Sequence, residues 1–287
     1  MFELKLKRLE DTLDEYDLLL FDLWGVIVEG SFTYPGVVEA INEIIKTKKV
    51  NFVTNAPRPN FCIVDTLRSW GLKNITPEMI TSSGDMARQF INERYNKNQT
   101  GIPRIFHLGS DKNDDILKQL DHQIVNNIEE ADIFLLSLYR DEPEDINEFN
   151  ELLQQVANKP NLVKLCANPD TTISQRGIIR YCAGHFANII EDFGSKVTNT
   201  GKPEKMIYDK VFEQNQDIVK DRILMIGDTF ETDILGANRS GIHSALVLTG
   251  NSNKIHQNYH SIQDKLGALS LHSEKVDMKP TFVTQIV

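Results

Sequence analysis

LLLFDLWGV, residues 18–26, and ILMIGDTFETDILGA, residues 223–237, decide how this chain reads. Each is an apolar run of strand type that ends on an aspartate, Asp22 or Asp228, with a glycine-containing turn beside it. In a parallel α/β sheet, functional groups gather at the carboxyl ends of the strands. Two such aspartates, far apart in the chain, can therefore share one hard cation and one phosphorylated substrate. Trp24 stands two residues after Asp22, at a place where phosphate-transfer chemistry would use an acid.

Outward from these stretches, strand-like runs alternate with helical patterns, which points to α/β architecture with parallel sheets. The first strand is expected over Tyr16–Leu23. A helix over Val37–Thr47 follows, with apolar residues at Val37, Val38, Ile41, Ile44 and Ile45. Then come a strand over Val50–Thr54 and helices over Asn60–Trp70 and Gly84–Tyr95. NKNQTGIPR, residues 96–104, is polar, holds Gly and Pro, and reads as a linker. Beyond it the pattern predicts strands Ile105–Leu108, Ile133–Leu138 and Leu162–Cys166, and helices Pro143–Ala157 and His185–Phe193. GSKVTNTGKP, residues 194–203, reads as a return linker. Helix Glu204–Glu213, strand Arg222–Ile226, helix Glu231–Ser240 and strand Ser244–Leu248 then resume the opening architecture. Residues 251–287 are weakly patterned, with Thr281–Thr284 as a last strand. The expected organisation is a split core, 1–95 and 200–287, with an α/β cap of residues 96–199 inserted between its halves.

The chemistry follows from residue type and place. A carboxylate at the mouth of a sheet, Asp22, can attack phosphorus and form an aspartyl-phosphate, which splits hydrolysis into two easier steps. Alone, it reads more simply as a turn or helix-capping aspartate after a buried strand. Asp228 and Asp233 sit at a strand end and in the first turn of the next helix, a spacing that suits Mg²⁺. Acids at a helix start are also favourable without any metal. Thr54 and Asn55 offer a hydroxyl and backbone N–H groups for phosphate oxygens. Lys202, just before a helix, offers a cation for phosphate and nucleophile together. The GxxxxGK[ST] spacing of a nucleotide P-loop is not present in the sequence. Singly, Thr54-Asn55 reads as an ordinary turn and Lys202 as a loop lysine. Together, in one order, these groups supply nucleophile, metal acids, hydroxyl and cation.

FDLWGV, VTNAP, TGKP and IGDTFETDILGA continuing into GIHSALVLTG carry a resemblance to the haloacid dehalogenase-like superfamily of aspartate-nucleophile phosphotransferases. The chain resembles most its class IIA, NagD-like branch. CANPD, residues 166–170, with the glycine-bearing loop after it, is similar to that branch's cap. The resemblance implies a Rossmann-like parallel-sheet core and a Mg²⁺-dependent hydrolase of small phosphorylated metabolites. It implies Asp22 as nucleophile and metal ligand, and Asp228 as second metal acid. The Trp24 backbone carbonyl is implied as a further ligand. Asp233 supports the metal through water or Lys202, and Thr54 and Lys202 hold the phosphoryl group. In the cap, Asp170, Arg176, Arg180 and His185 cluster around an irregular loop, and Asp170, Arg176 and His185 are candidates for substrate contact. The departure is Trp24, where family phosphatases carry the general acid and base. Losing such a group costs on the order of 10²–10⁴ in rate. Glu29 lies nearby, but its spacing does not place it as a substitute. A second reading therefore stays open: a degenerate member that binds a phosphorylated ligand or partner without turnover.

Composition bounds the rest. A chain of 287 residues, 40% hydrophobic and 25% charged, suits a folded protein with one large or two modest domains. A net charge of −10 leaves no basic surplus to replace the counterions of a nucleic acid. Cys62, Cys166 and Cys182 form no CxxC pair, so reduced thiols and a cytoplasmic setting are expected. Acids interrupt the N-terminus before any apolar core, so no signal peptide is expected. No apolar run approaches the roughly 18 residues of a membrane helix. The pattern does not specify an oligomer.

Overall fold

A computed structural model describes residues 3–96, 101–109, 115–138, 146–175 and 178–287. In chain order the regular elements begin with β1 (Leu6–Arg8), β2 (Leu18–Phe21), β3 (Val28–Glu29) and β4 (Phe32–Thr33). Next come α1 (Val37–Ile44), β5 (Lys49–Thr54), α2 (Asn60–Ser69), β6 (Ile80–Ser82) and α3 (Ser83–Ile91). They continue with β7 (Arg104–Gly109), β8 (Gln123–Ile124), β9 (Ile133–Ser137), α4 (Asn150–Ala157) and β10 (Val163–Cys166). β11 (Thr172–Gln175), β12 (Ile178–Tyr181), α5 (Ala183–Asp192), β13 (Thr198–Asn199), α6 (Lys205–Gln214) and β14 (Ile223–Gly227) follow. The chain closes with α7 (Leu235–Ser240), β15 (His243–Val247), α8 (Asn253–His256), α9 (Ile262–Val276) and β16 (Phe282–Gln285).

The chain divides into two compact units. One comprises Met1–Thr54, Ile63–Thr81 and Lys202–Val287, the other Asn55–Cys62 and Ser82–Gly201. The first is built on a seven-stranded sheet of order β1-β16-β15-β14-β2-β5-β6. β2 and β14 lie at its centre, and every residue of both is buried. Strands covered on both faces read as unbroken apolar runs, which is why LLLF and ILMI were legible. The α1 helix follows from Val37, Val38, Ile41 and Ile44, a 3.6-period stripe that is buried throughout. Burying each such side chain stabilises by roughly 1.5–3 kcal/mol before entropy is charged.

The second unit has its own five-stranded parallel sheet, β13-β10-β9-β7-β8, and the antiparallel hairpin β11–β12. Phe134, Leu136, Leu153, Val156, Phe186 and Ile190 form its main apolar cluster. None of the strands between residues 105 and 193 joins the seven-stranded sheet.

Several elements differ from the sequence expectation. Residues 251–287, weakly patterned in sequence, hold the fifteen-residue helix α9. Its register is diluted by Gly267 and by serines on the buried side, Ser270 and Ser273. The segment 194–203, read as a linker, contributes β13, which pairs Thr198 with Leu165 and Asn199 with Cys166. The helix expected over Glu231–Ser240 is a wide π-type turn, Phe230–Ile234, leading into α7. The helix expected over Pro143–Ala157 is regular only from Asn150, after a 3₁₀ turn at Ile146–Phe149. The strand β1 was not anticipated, because three residues, of which Lys7 and Arg8 are exposed, carry little pattern. The three cysteines are free. Among the described residues no helix is long and apolar enough to cross a membrane.

Candidate functional site

Sheet register brings the two decisive aspartates together. Phe21 pairs with Ile226, and the Asp22 N–H donates to the Ile226 carbonyl at 2.9 Å. Asp22 therefore leaves the end of β2 beside the end of β14, where Asp228 follows Gly227. β5 flanks β2 on its other side with Phe21 opposite Phe52, which sets buried Thr54 at the same sheet edge. The wide turn after β14 then returns Asp233 to this edge. Ligand oxygens of Asp22, Asp228 and Asp233 lie within 4.8 Å of one another, and all three residues are buried.

Lys202 is the cation of the cluster. Its Nζ lies 2.7 Å from Asp22 Oδ1 and 2.7 Å from Asp233 Oδ1, and the residue is 1% exposed. Burial opposes the lysine charge, but Asp22 and Asp233 outweigh it and hold the pKa above that of an ordinary lysine. Asp233 Oδ2 accepts the backbone N–H groups of Asp228 and Thr229, both at 3.1 Å. Asp233 thus has both oxygens engaged, one on the lysine and one on the loop that carries Asp228.

Asp228 is held from three sides. Thr229 Oγ1 donates to Oδ1 at 2.9 Å, and the Asn251 N–H donates to Oδ2 at 2.5 Å. Gly25 and Gly250 wall the carboxylate in. Gly25 has φ +86°, and a Cβ there would fall 2.2 Å from Asp228 Oδ2. A Cβ at Gly250 would fall 2.1 Å from the same atom. Burial first, and then the Asp233 charge, push the Asp228 carboxyl up to about 7. Burial also pushes Asp22 well above the usual carboxylate range, with Lys202 opposing and Asp233 and Asp228 adding to the rise. Three acids and one lysine leave two uncompensated negative charges when all are ionised. That donor set, oxygen-rich, close and short of positive charge, fits a hard divalent cation.

Trp24 is half-buried, and its ring meets Trp70 edge-to-face at 5.6 Å between centroids. No titratable group stands at that position. Glu29 is exposed on β3 and accepts the Tyr34 hydroxyl at 3.2 Å.

The remaining candidates belong to the second unit. Asn55 Nδ2 donates to Asp170 Oδ1 at 2.8 Å, so these two are brought together. His185 lies on α5, its ring tilted against Tyr181 at 4.5 Å between centroids and edge-to-face with Phe186 at 5.3 Å, and burial lowers its pKa. Arg180 is half-buried on β12. Arg176 lies outside the described residues.

Sequence reasoning did not single out Thr229, Gly250, Asn251 or Tyr34. The first three act largely through backbone or short side chains that carry no chemical signature. The glycine in LTGN was the available signal for a close approach.

Two family models match the chain: haloacid dehalogenase-like hydrolase over residues 19–123 and HAD-hydrolase-like over residues 199–269. Mouse chronophin is 24% identical over 248 residues, covering 84% of each chain. A haloacid dehalogenase-like hydrolase from Brucella suis is 27% identical with a TM-score of 0.78, covering 97% of this chain and 98% of that one. A Mycobacterium tuberculosis glycerol phosphate phosphatase, solved in complex with magnesium, is 20% identical with a TM-score of 0.67. That match covers 97% of this chain and 76% of the other. The chain belongs to the haloacid dehalogenase-like superfamily. Within it, the fold is that of the class IIA, NagD-like branch.

Proposed function

We propose that this protein is a Mg²⁺-dependent hydrolase of small phosphate monoesters that works through an aspartyl-phosphate on Asp22. The buried cluster of Asp22, Lys202, Asp228 and Asp233 at one sheet edge is the observation that carries the reading. The glycerol phosphate phosphatase of the same fold, solved with magnesium, supports it. Asp22, Asp228 and the Trp24 carbonyl would hold the cation, which when bound neutralises charge on the transferring phosphoryl group. Asp22 attacks phosphorus. Lys202 stabilises the charge on the phosphoryl oxygens and is itself held by Asp233. Thr54 adds a hydroxyl at the same edge. In the other unit, the Asn55–Asp170 pair is a candidate for reading the polar end of a substrate. Residues 96–199 would serve as the cap.

Trp24 shapes the substrate range. It brings no proton to a departing alkoxide, so alkyl esters depend on a proton from another group, and esters with acidic leaving groups, which need none, react faster. The test is a phosphate-release screen of aryl and alkyl phosphates with and without Mg²⁺, on wild type and Trp24→Asp. Mg²⁺-dependent release is expected, fastest from aryl esters, with Trp24→Asp raising the alkyl rate. No release from any ester by either folded protein would give the lead to a binding role without turnover.

A further inference from the structure

The chain just after Asp22 folds into a hairpin that brings a second proton-bearing group to the Gly250 loop at the rim of the acid cluster. Ile27 N–H donates to the Leu23 carbonyl at 2.8 Å, and Gly25 N–H to the Val28 carbonyl at 2.8 Å. β3 and β4 then pair antiparallel, Glu29 opposite Phe32, and Tyr34 N–H returns to the Ile27 carbonyl at 2.9 Å. The Tyr34 hydroxyl donates to Glu29 Oε2 at 3.2 Å and accepts the Gly250 N–H at 3.3 Å. Gly250 is the residue whose Cα stands against both Asp228 and Gly25, and the next N–H, Asn251, holds Asp228. Thr249 Oγ1 also donates to the Gly25 carbonyl, at 2.5 Å, tying the two loops together. The phenol is thus fixed on the rim of the acid cluster, one residue from the contact that orients Asp228.

We propose that Tyr34, oriented by Glu29, is the proton donor and acceptor that position 24 lacks. The inference rests on the phosphatase reading above. As Asp22 bonds to phosphorus and the bond from phosphorus to the leaving oxygen breaks, the Tyr34 hydroxyl turns its single proton from Glu29 to that oxygen, which departs as the alcohol. Water then attacks the phosphorus of the aspartyl-phosphate and gives a proton to the tyrosinate. Phosphate leaves, and Asp22 and Tyr34 return to their starting states. Glu29 is a positioning residue: in the free protein it accepts the phenolic hydrogen bond and holds the hydroxyl on the rim until a leaving oxygen takes the proton in its place. The charged groups acting on the phenol are Glu29 and Asp228, and with burial as the largest effect they push Tyr34 up to about 12. The group therefore enters the first step protonated, and its conjugate base is strong enough to activate water in the second.

The test compares wild type, Tyr34→Phe, Glu29→Gln and the double variant Trp24→Asp/Tyr34→Phe, with Mg²⁺, on 4-nitrophenyl phosphate and glycerol phosphate. Tyr34→Phe should lower kcat on glycerol phosphate by about 10²-fold, the scale of a lost general acid. On the aryl ester the fall should be smaller and should follow a burst of nitrophenol, because only the second step then lacks its base. Glu29→Gln should lower the alkyl kcat by less, with KM unchanged. Trp24→Asp should restore alkyl turnover to the Tyr34→Phe protein. Equal losses on both esters without a burst, or no loss on either, would overturn the role of Tyr34 and leave the phosphatase reading standing. If wild type hydrolyses neither ester and Asp22 never becomes phosphorylated, the phosphatase reading fails and this role fails with it.

Discussion

At the scale of single residues, the site is a problem of charge. Asp228 is buried beside Asp233, and its carboxyl is raised from 3.8 to about 7. Between those values the folded protein holds a proton here that the unfolded chain has released. Stability from this group is therefore greatest at low pH and falls as pH rises through the window. A bound cation reverses that loss, because it favours the ionised form. Mg²⁺ should thus raise the melting temperature more at about pH 8 than at about pH 5.5, since at the lower pH it must displace protons. Thermal denaturation with and without millimolar Mg²⁺ at the two pH values measures this. An equal shift at both would show that Asp228 is not the group the cation meets. Gly25 belongs to the same argument, because any side chain at its φ of +86° would also displace the Asp228 carboxylate.

At the scale of elements, α9 shows what the sequence hides. Ser261 caps it by accepting the Asp264 N–H at 3.1 Å and donating to Asp264 Oδ2 at 2.6 Å. Leu269 packs with Phe230, Leu246 and Val283. Ser261→Ala should destabilise the protein by about 1 kcal/mol, the usual cost of losing an N-cap. A urea midpoint unchanged from wild type would mean that this end of the helix frays in the native protein. The Ser-x-x-Asp spacing was present in the sequence and marks a helix start, but Gly267 and the buried serines blurred the apolar stripe that would have supported it. By contrast β2, β9 and β14 were legible to within about two residues, because strands covered on both faces leave nearly unbroken apolar runs. The site divides in the same way. Asp22, Asp228 and Lys202 were legible because titratable groups at strand ends and helix starts stand out. The Gly250 and Asn251 amides were not, because a backbone donor looks the same in every residue. Tyr34 was hidden by the hairpin β3–β4, whose four strand residues are too few for a period to show.

At the scale of the whole molecule, two α/β units are cut from one chain, and the acid cluster lies wholly in the first. The second unit carries no comparable group of metal-ligating side chains among the described residues. A net charge of −10 gives no general pull on anionic substrates, so capture of a phosphate ester falls to Lys202 and the cation. The central claim is that Asp22 becomes phosphorylated. Its most direct measurement is acid quenching of the protein during reaction with 4-nitrophenyl phosphate and Mg²⁺, followed by peptide mass spectrometry. The account predicts a phosphoryl group on the peptide bearing Asp22, absent without Mg²⁺ and absent from Asp22→Asn. Steady phosphate release by wild type with no adduct at Asp22 at any quench time, and undiminished release by Asp22→Asn, would contradict it.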